Sequence, residues 1–224
     1  MSYTLAVVWT VVIVLAAPIA GFLARRPLAA PQKPRGLIYA GSAANLLVIG
    51  AITSVIDIYR GGTTIRALNW TMPVPRLVAW SLGVTVASIL ITVAVFALRR
   101  KLNRPPSLIV MSLLPQTRAE RAIFLLLCLL VGLVEEFLFR GFAFFTISSL
   151  AGPLFAGSIV TISFALQHGI QDAIGIVRAF VLGVLLLIPV LVTGSLLPSI
   201  VAHAVVDVFS GLYGRAAMAS FRSA

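Results

Sequence analysis

Charged side chains in this chain arrive in short clusters, and between the clusters run long stretches that are almost wholly apolar. Seven of these stretches lie near 4 to 24, 36 to 57, 77 to 98, 122 to 147, 153 to 169, 177 to 193 and 196 to 213. Each approaches the roughly 20 residues that a helix needs to cross a hydrocarbon core, so all seven are predicted as transmembrane helices. The piece PPSLIVMSLLPQTR, 105 to 118, is too short to cross and is predicted to lie in the interface as an amphipathic helix. The loop RGGTTIRALNWTMPVPR, 60 to 76, has turn residues and a Trp and reads as an interfacial segment at the opposite surface. No repeat, low-complexity tail or soluble domain interrupts the plan. The expected fold is therefore an all-α polytopic membrane protein, with seven or eight transmembrane helices enclosing an intramembrane cavity. Residues 1–120 would supply N-terminal transmembrane helices with an interfacial segment, and residues 121–224 a helical core that carries the chemistry.

Composition agrees with the pattern: of 224 residues 60% are hydrophobic and 10% charged, and the mean hydropathy is +1.10. Those values lie outside the range of soluble domains. The net charge of +11 raises the question of nucleic acid, but no contiguous basic face with interleaved aromatics is available, so no nucleic-acid partner is expected. The basic residues instead set a topology. Arg25, Arg26, Lys33, Arg35, Arg99, Arg100, Lys101, Arg104, Arg118, Arg121, Arg178, Arg215 and Arg222 all fall on one side of a seven-span chain. Only Arg60, Arg66 and Arg76 fall on the other, with Arg140 inside a span. The positive-inside rule then predicts an N-terminus outside and a C-terminus in the cytoplasm of a multi-pass cell-membrane protein. The first span follows no basic n-region and is expected to be an uncleaved helix rather than a signal peptide. Cys128 is the single cysteine, so no disulfide framework is expected.

Against this background the stretch VGLVEEFLFRGFAFF, 131 to 145, stands out, because it places two of the six carboxylates inside a span. A charged side chain at a helix centre costs roughly 2.5 to 3.5 kcal/mol on insertion scales, so such residues are read as functional. Glu136 and Arg140 are four apart and share a face, which allows them to pair. Glu135 is rotated by about 100° and is left for other work. Both histidines of the chain, His168 and His203, also fall in late apolar spans, and Asp207 follows His203 by one helical turn. At about 1.5 Å per residue, Glu135 and His168 lie near the bilayer middle, and His203 is somewhat shallower. A carboxylate and an imidazole in a partly dry cavity can deprotonate a water, and a second imidazole can donate to an oxyanion. That set suits amide hydrolysis. Glu135, His168 and His203 also match a catalytic zinc ligand set of one carboxylate and two histidines, so possession of zinc stays open.

These residues resemble three signature motifs of the CPBP family, the CAAX prenyl protease 2 and bacteriocin-processing or immunity (Abi-type) intramembrane proteases. Glu135, Glu136 and Arg140 follow an E-E-x-x-x-R pattern, Phe164 and His168 an F-x-x-x-H pattern, and His203 and Asp207 an H-x-x-x-N/D pattern. The resemblance covers about 120 to 213. It implies that Glu135, assisted by His168, activates water, that His203 and the residue at Asp207 stabilise the oxyanion, and that Glu136 and Arg140 orient the site. Asp207 departs from the Asn common in the family; an ionised Asp207 cannot donate to an oxyanion, but it can fix His203. The expected partners are a membrane-embedded or membrane-proximal peptide substrate and the lipid bilayer. No H-E-x-x-H, G-x-G-D or G-x-S-x-G pattern offers a rival protease chemistry. Two readings from other classes remain: a transporter or proton relay, and a non-catalytic peptide-binding immunity protein of the same fold. Finally, the polar run GIQDAIGIVR, 169 to 178, is expected to end helix five early and to line a cytoplasmic funnel.

Overall fold

The computed structural model describes residues 2–24 and 34–222, and the side chains of 3–24 and 34–214. Arg25, Arg26 and Lys33, on which the predicted placement of the first loop rests, lie outside them. The described chain is all-helical. In order it forms α1 (Ser2–Leu23), α2 (Arg35–Tyr59), the short α3 (Thr63–Arg66), α4 (Val74–Lys101), the short α5 (Leu108–Ser112) and α6 (Arg118–Glu136). A π-helical segment, Phe137–Ala143, continues α6 into α7 (Phe144–Ala151). Then come α8 (Pro153–Gln167), a 3-10 turn at His168–Ile170, α9 (Ala173–Thr193) and α10 (Leu197–Arg222).

Among the described residues seven helical segments are long and apolar enough to cross a membrane, and the chain is a multi-pass integral membrane protein. The surface follows from that solvent: Leu5, Leu15, Ile58, Leu90, Leu126 and Leu191 point outward, while Thr53, Thr92, Glu136, Arg140 and His203 are buried. Polar side chains retreat to the interior because nothing in hydrocarbon can satisfy them. The segment 105–118 forms no eighth crossing; α5 is a single short turn whose Ser107 cap accepts a hydrogen bond from the Val110 amide.

Contacts between the ends of helices reveal the alternation. At one end Arg35 reaches the Ser112 carbonyl and Glu120, and Arg99 pairs with Asp172. At the other end Asp57, Arg60, Thr64 and Thr146 form one network, and the Leu196 amide donates to the Ala67 carbonyl. Thr117 starts α6 with a capping box, its hydroxyl accepting from the Glu120 amide while Glu120 accepts from the Thr117 amide.

Two departures from the expected boundaries concern the site. Helix five does end early, at Gln167, but α9 begins at Ala173 rather than near 177, because Asp172 caps it by accepting from the Gly175 amide. Residues 173–178 are therefore helix instead of an open polar dip. Within it Gly175 and Arg178 still face a cavity.

Candidate active site

Three crossings bring the polar residues together, and small residues set how closely they approach. Helix α6 backs onto α10 at Gly132, where a Cβ would lie 2.9 Å from the Ala204 nitrogen and 3.0 Å from its Cβ. That contact seats His203 beside Glu136, one helical turn along from Gly132. The π-helical segment begins directly after Glu136, and π turns inside α-helices concentrate at functional sites. On the third crossing, α8 gives way to a 3-10 turn at His168. There α1 packs backbone to backbone: a Cβ on Gly21 would collide with the Gln167 carbonyl, and one on Gly169 would come within 2.7 Å of the Gly21 carbonyl carbon.

Glu136 is the centre of the buried network. Its Oε1 accepts from Arg140 Nη1 at 2.9 Å, both side chains having no solvent exposure, and the same oxygen lies 2.7 Å from His203 Nδ1. A carboxylate only accepts, so Nδ1 carries the hydrogen and donates. The i, i+4 pair read from sequence is present, and the histidine adds a long-range partner to it. Arg140 also donates from Nη2 to the Gly183 carbonyl at 3.3 Å, and its guanidinium sits 3.9 Å above the Phe164 ring. Glu136 Oε2 and Arg140 Nε have no hydrogen-bond partner.

Around this network lies a looser shell. Glu135 is partly exposed, and its Oε2 accepts from Gln167 Nε2 at 3.1 Å. His203 Nε2 stands 3.9 Å from Glu135 Oε2 and 3.6 Å from Asp207 Oδ2, too far for direct hydrogen bonds. His168 Nδ1 lies 2.8 Å from the Phe164 carbonyl, which can only accept. The proton therefore sits on Nδ1, and Nε2 keeps its lone pair as a base. Phe164 joins the two imidazoles, its ring centroid 4.9 Å from that of His168 and 5.7 Å from that of His203. Among the described residues no hydrogen bond joins Glu135 to His168.

A cavity of about 20 Å³ lies among His168, His203, Asp207, Arg178, Phe164 and Ser88. A water needs roughly 10 to 15 Å³ and two to four polar partners, so the space and its lining suit one water. Beyond it a larger chamber of about 310 Å³ opens between α4, α5, α6, α9 and α10.

The same residues fall within a sequence match. Residues 117–209 fit the family model of the Type II CAAX prenyl endopeptidase Rce1-like proteins. This segment is an Rce1-like domain. The matching family is one of endopeptidases, and the match points to a peptidase. No curated protein and no solved structure matches the chain. The Rce1-like domain contains all six candidate residues, Glu135, Glu136, Arg140, His168, His203 and Asp207, together with Gln167 and Arg178. Helices α1 to α5 lie outside it, yet α1 clamps the His168 turn and α4 lines the chamber.

The zinc alternative does not fit this arrangement. Among the described residues no three His, Cys, Asp or Glu side chains are grouped to hold an ion. His203 Nδ1 is committed to Glu136, and Glu135, His168 and His203 do not converge as ligands. Sequence reading missed Gln167 as a contact of Glu135 and treated Arg178 only as a funnel lining. The adjacency of Gln167 to His168 is the one local signal for the former; the latter depends on three helices meeting.

Proposed function

We propose that the protein is an intramembrane endopeptidase that hydrolyses a peptide bond of a membrane-associated peptide or protein with a water activated by Glu135 and His168. The observation that carries this reading is His203 set among three carboxylates, at 2.7, 3.6 and 3.9 Å, beside a water-sized cavity that His168 also lines. Glu135 takes the water proton while the hydroxide oxygen forms a bond to the peptide carbonyl carbon, with His168 Nε2 holding the water's second hydrogen. Negative charge then develops on the carbonyl oxygen, where a hydrogen on His203 Nε2 is placed to donate. Glu135 passes its proton to the departing amine as the carbon–nitrogen bond breaks. Glu136 and Arg140 orient His203 through Nδ1, and Asp207, 3.6 Å from Nε2, favours a charged ring without bonding to it. Substrate enters from the end of the bundle marked by Arg35 and Arg99, which the charge distribution assigns to the cytoplasm.

Purified protein in detergent is expected to cut a quenched peptide library, and Glu135→Gln and His168→Ala should each abolish the cutting. Activity that survives both substitutions overturns the reading. Because the ligating residues do not converge, a chelator should leave the rate within twofold; loss that zinc restores would overturn the metal-free form of the mechanism.

A further inference from the structure

Four arginines sit among the packed helices, and three of them have a carboxylate: Arg60 pairs with Asp57, Arg99 with Asp172, and Arg140 with Glu136. Arg178 does not. Its Nη1 donates to two neutral hydroxyls, Thr92 Oγ1 at 3.3 Å and Ser210 Oγ at 3.1 Å. Among the described residues, which include all six acids of the chain, no carboxylate lies within 4 Å of it. Asp207, its nearest candidate on α10, is turned to His203. Asp207 lines the same cavities and is a nearby charge, but it makes no contact with the guanidinium. A guanidinium held among packed helices with no carboxylate in contact is costly, and such residues mark ligand paths.

The location of Arg178 gives it a task. Arg178 and Asp207 are the two residues that line both the catalytic cavity and the 310 Å³ chamber. The chamber has the size of a small ligand pocket and is walled by Phe96, Leu113, Leu114, Phe124, Leu127 and Val131. Thr92 from α4 and Ser210 from α10 fix one end of the guanidinium, which leaves Nε and Nη2 as a planar edge matched to a carboxylate. We infer that Arg178 is a specificity-determining residue that receives a carboxylate of the peptide substrate, while apolar residues next to that carboxylate occupy the chamber. The inference rests on the peptidase reading for the word substrate, and its geometry is independent of it. The carboxylate can come from the C-terminus of the peptide or from an acidic side chain.

Binding separates these cases without turnover. The full chain carrying Glu135→Gln is titrated with fluorescein-labelled Gly-Ser-Ala-Leu-Val-Leu in three forms: free acid, C-terminal amide, and amide with Glu replacing the last Leu. At least one of the two carboxylate-bearing forms should bind at least tenfold more tightly than the plain amide. Arg178→Met should erase the difference, and Arg178→Lys, which keeps the charge and loses the fork, should restore part of it. Tighter binding of the Glu-bearing amide than of the free acid would assign the carboxylate to a side chain, equal binding would show that the site takes either, and binding of the free acid alone would assign it to the C-terminus. The inference is overturned if neither the free acid nor the Glu-bearing amide binds more tightly than the plain amide in the chain that keeps Arg178, if none of the three binds, or if the preference persists in Arg178→Met. The acid-to-amide comparison needs no substitution at Arg178 and so stands even where Arg178→Met fails to fold. Cleavage by the unaltered chain is scored separately. Acid preference without cleavage removes the peptidase reading and leaves the role of Arg178; cleavage without acid preference does the reverse.

Discussion

Two buried arginine–carboxylate pairs, Asp57 with Arg60 at the end of α2 and Glu136 with Arg140 at the end of α6, each span about one helical turn and differ in how completely they are satisfied. Near one end of the bundle, Asp57 accepts from Arg60 Nε at 2.9 Å, from the Thr64 hydroxyl at 2.8 Å, and from the amides of Thr64 and Ile65 at 3.2 and 3.0 Å. Arg60 donates onward to Thr64 and Thr146 and lies over the Phe142 ring. In the middle of the bundle, Glu136 and Arg140 form the same kind of pair but keep an oxygen and a nitrogen without partners, and Glu135 beside them has one side-chain donor. A network with every acceptor filled fixes a fold. One with open valences next to a cavity is poised to take a ligand or a proton.

The comparison can be broken at several points, and the largest effect falls on Glu135. Glu135→Gln should lower kcat by about 10² to 10⁴, the span of general-base contributions, with thermal stability nearly unchanged; a stopped peptide assay and a melting curve on one preparation check both halves. Glu136→Gln should do what Glu135→Gln does not. Removing one partner of a fully buried ion pair costs about 3 to 5 kcal/mol, and because His203 and Arg140 share Glu136 Oε1, stability and turnover should fall together.

Asp57→Asn should also destabilise by about 3 to 5 kcal/mol, yet turnover per folded molecule should hold, since that network touches none of the reacting groups. A catalytic defect there at constant stability would erase the distinction between the two networks. Gly21→Ala pushes α1 off the Gln167–Gly169 turn and should cost about 1 to 3 kcal/mol, the range for overpacking, with a loss of activity larger than that loss of stability explains.

The smallest effect concerns Asp172, which lies between spans. Its hydrogen bonds from Arg99 hold its carboxyl below the usual range, opposed by burial. A depressed folded value means that its stabilisation is present above the unfolded pKa of about 3.9 and disappears as pH falls through the lower folded value. Wild type and Asp172→Asn should therefore differ by at most about 1 kcal/mol near neutrality, for this partly exposed pair, and converge in acid below about pH 4. A gap that widens on acidification would contradict the pairing.

Much of this was legible in the chain because membrane depth and helical spacing are local properties. Seven apolar runs became seven crossings, and the separation of four between Glu136 and Arg140 became a contact. What could not be read depends on partners far along the chain. The start of α9 moved to Ala173 because Asp172 is both a cap and the partner of Arg99, 73 residues away. The π-helical segment leaves no mark in the spacing, since Glu136 and Arg140 pair across it as they would in an α-helix. His203 meets Glu136 only because Gly132 admits α10, and α1, whose sequence is a generic span, meets the His168 turn through Gly21. The candidate residues were thus readable as a set, and their division of labour was not.

The most direct test places Glu135→Gln beside Asp57→Asn, with peptide cleavage per folded molecule and the thermal midpoint read on the same samples. The account predicts a crossed result: Glu135→Gln melts like the unaltered protein and does not cleave, while Asp57→Asn melts early and, where folded, cleaves normally. Cleavage that persists in Glu135→Gln would contradict it.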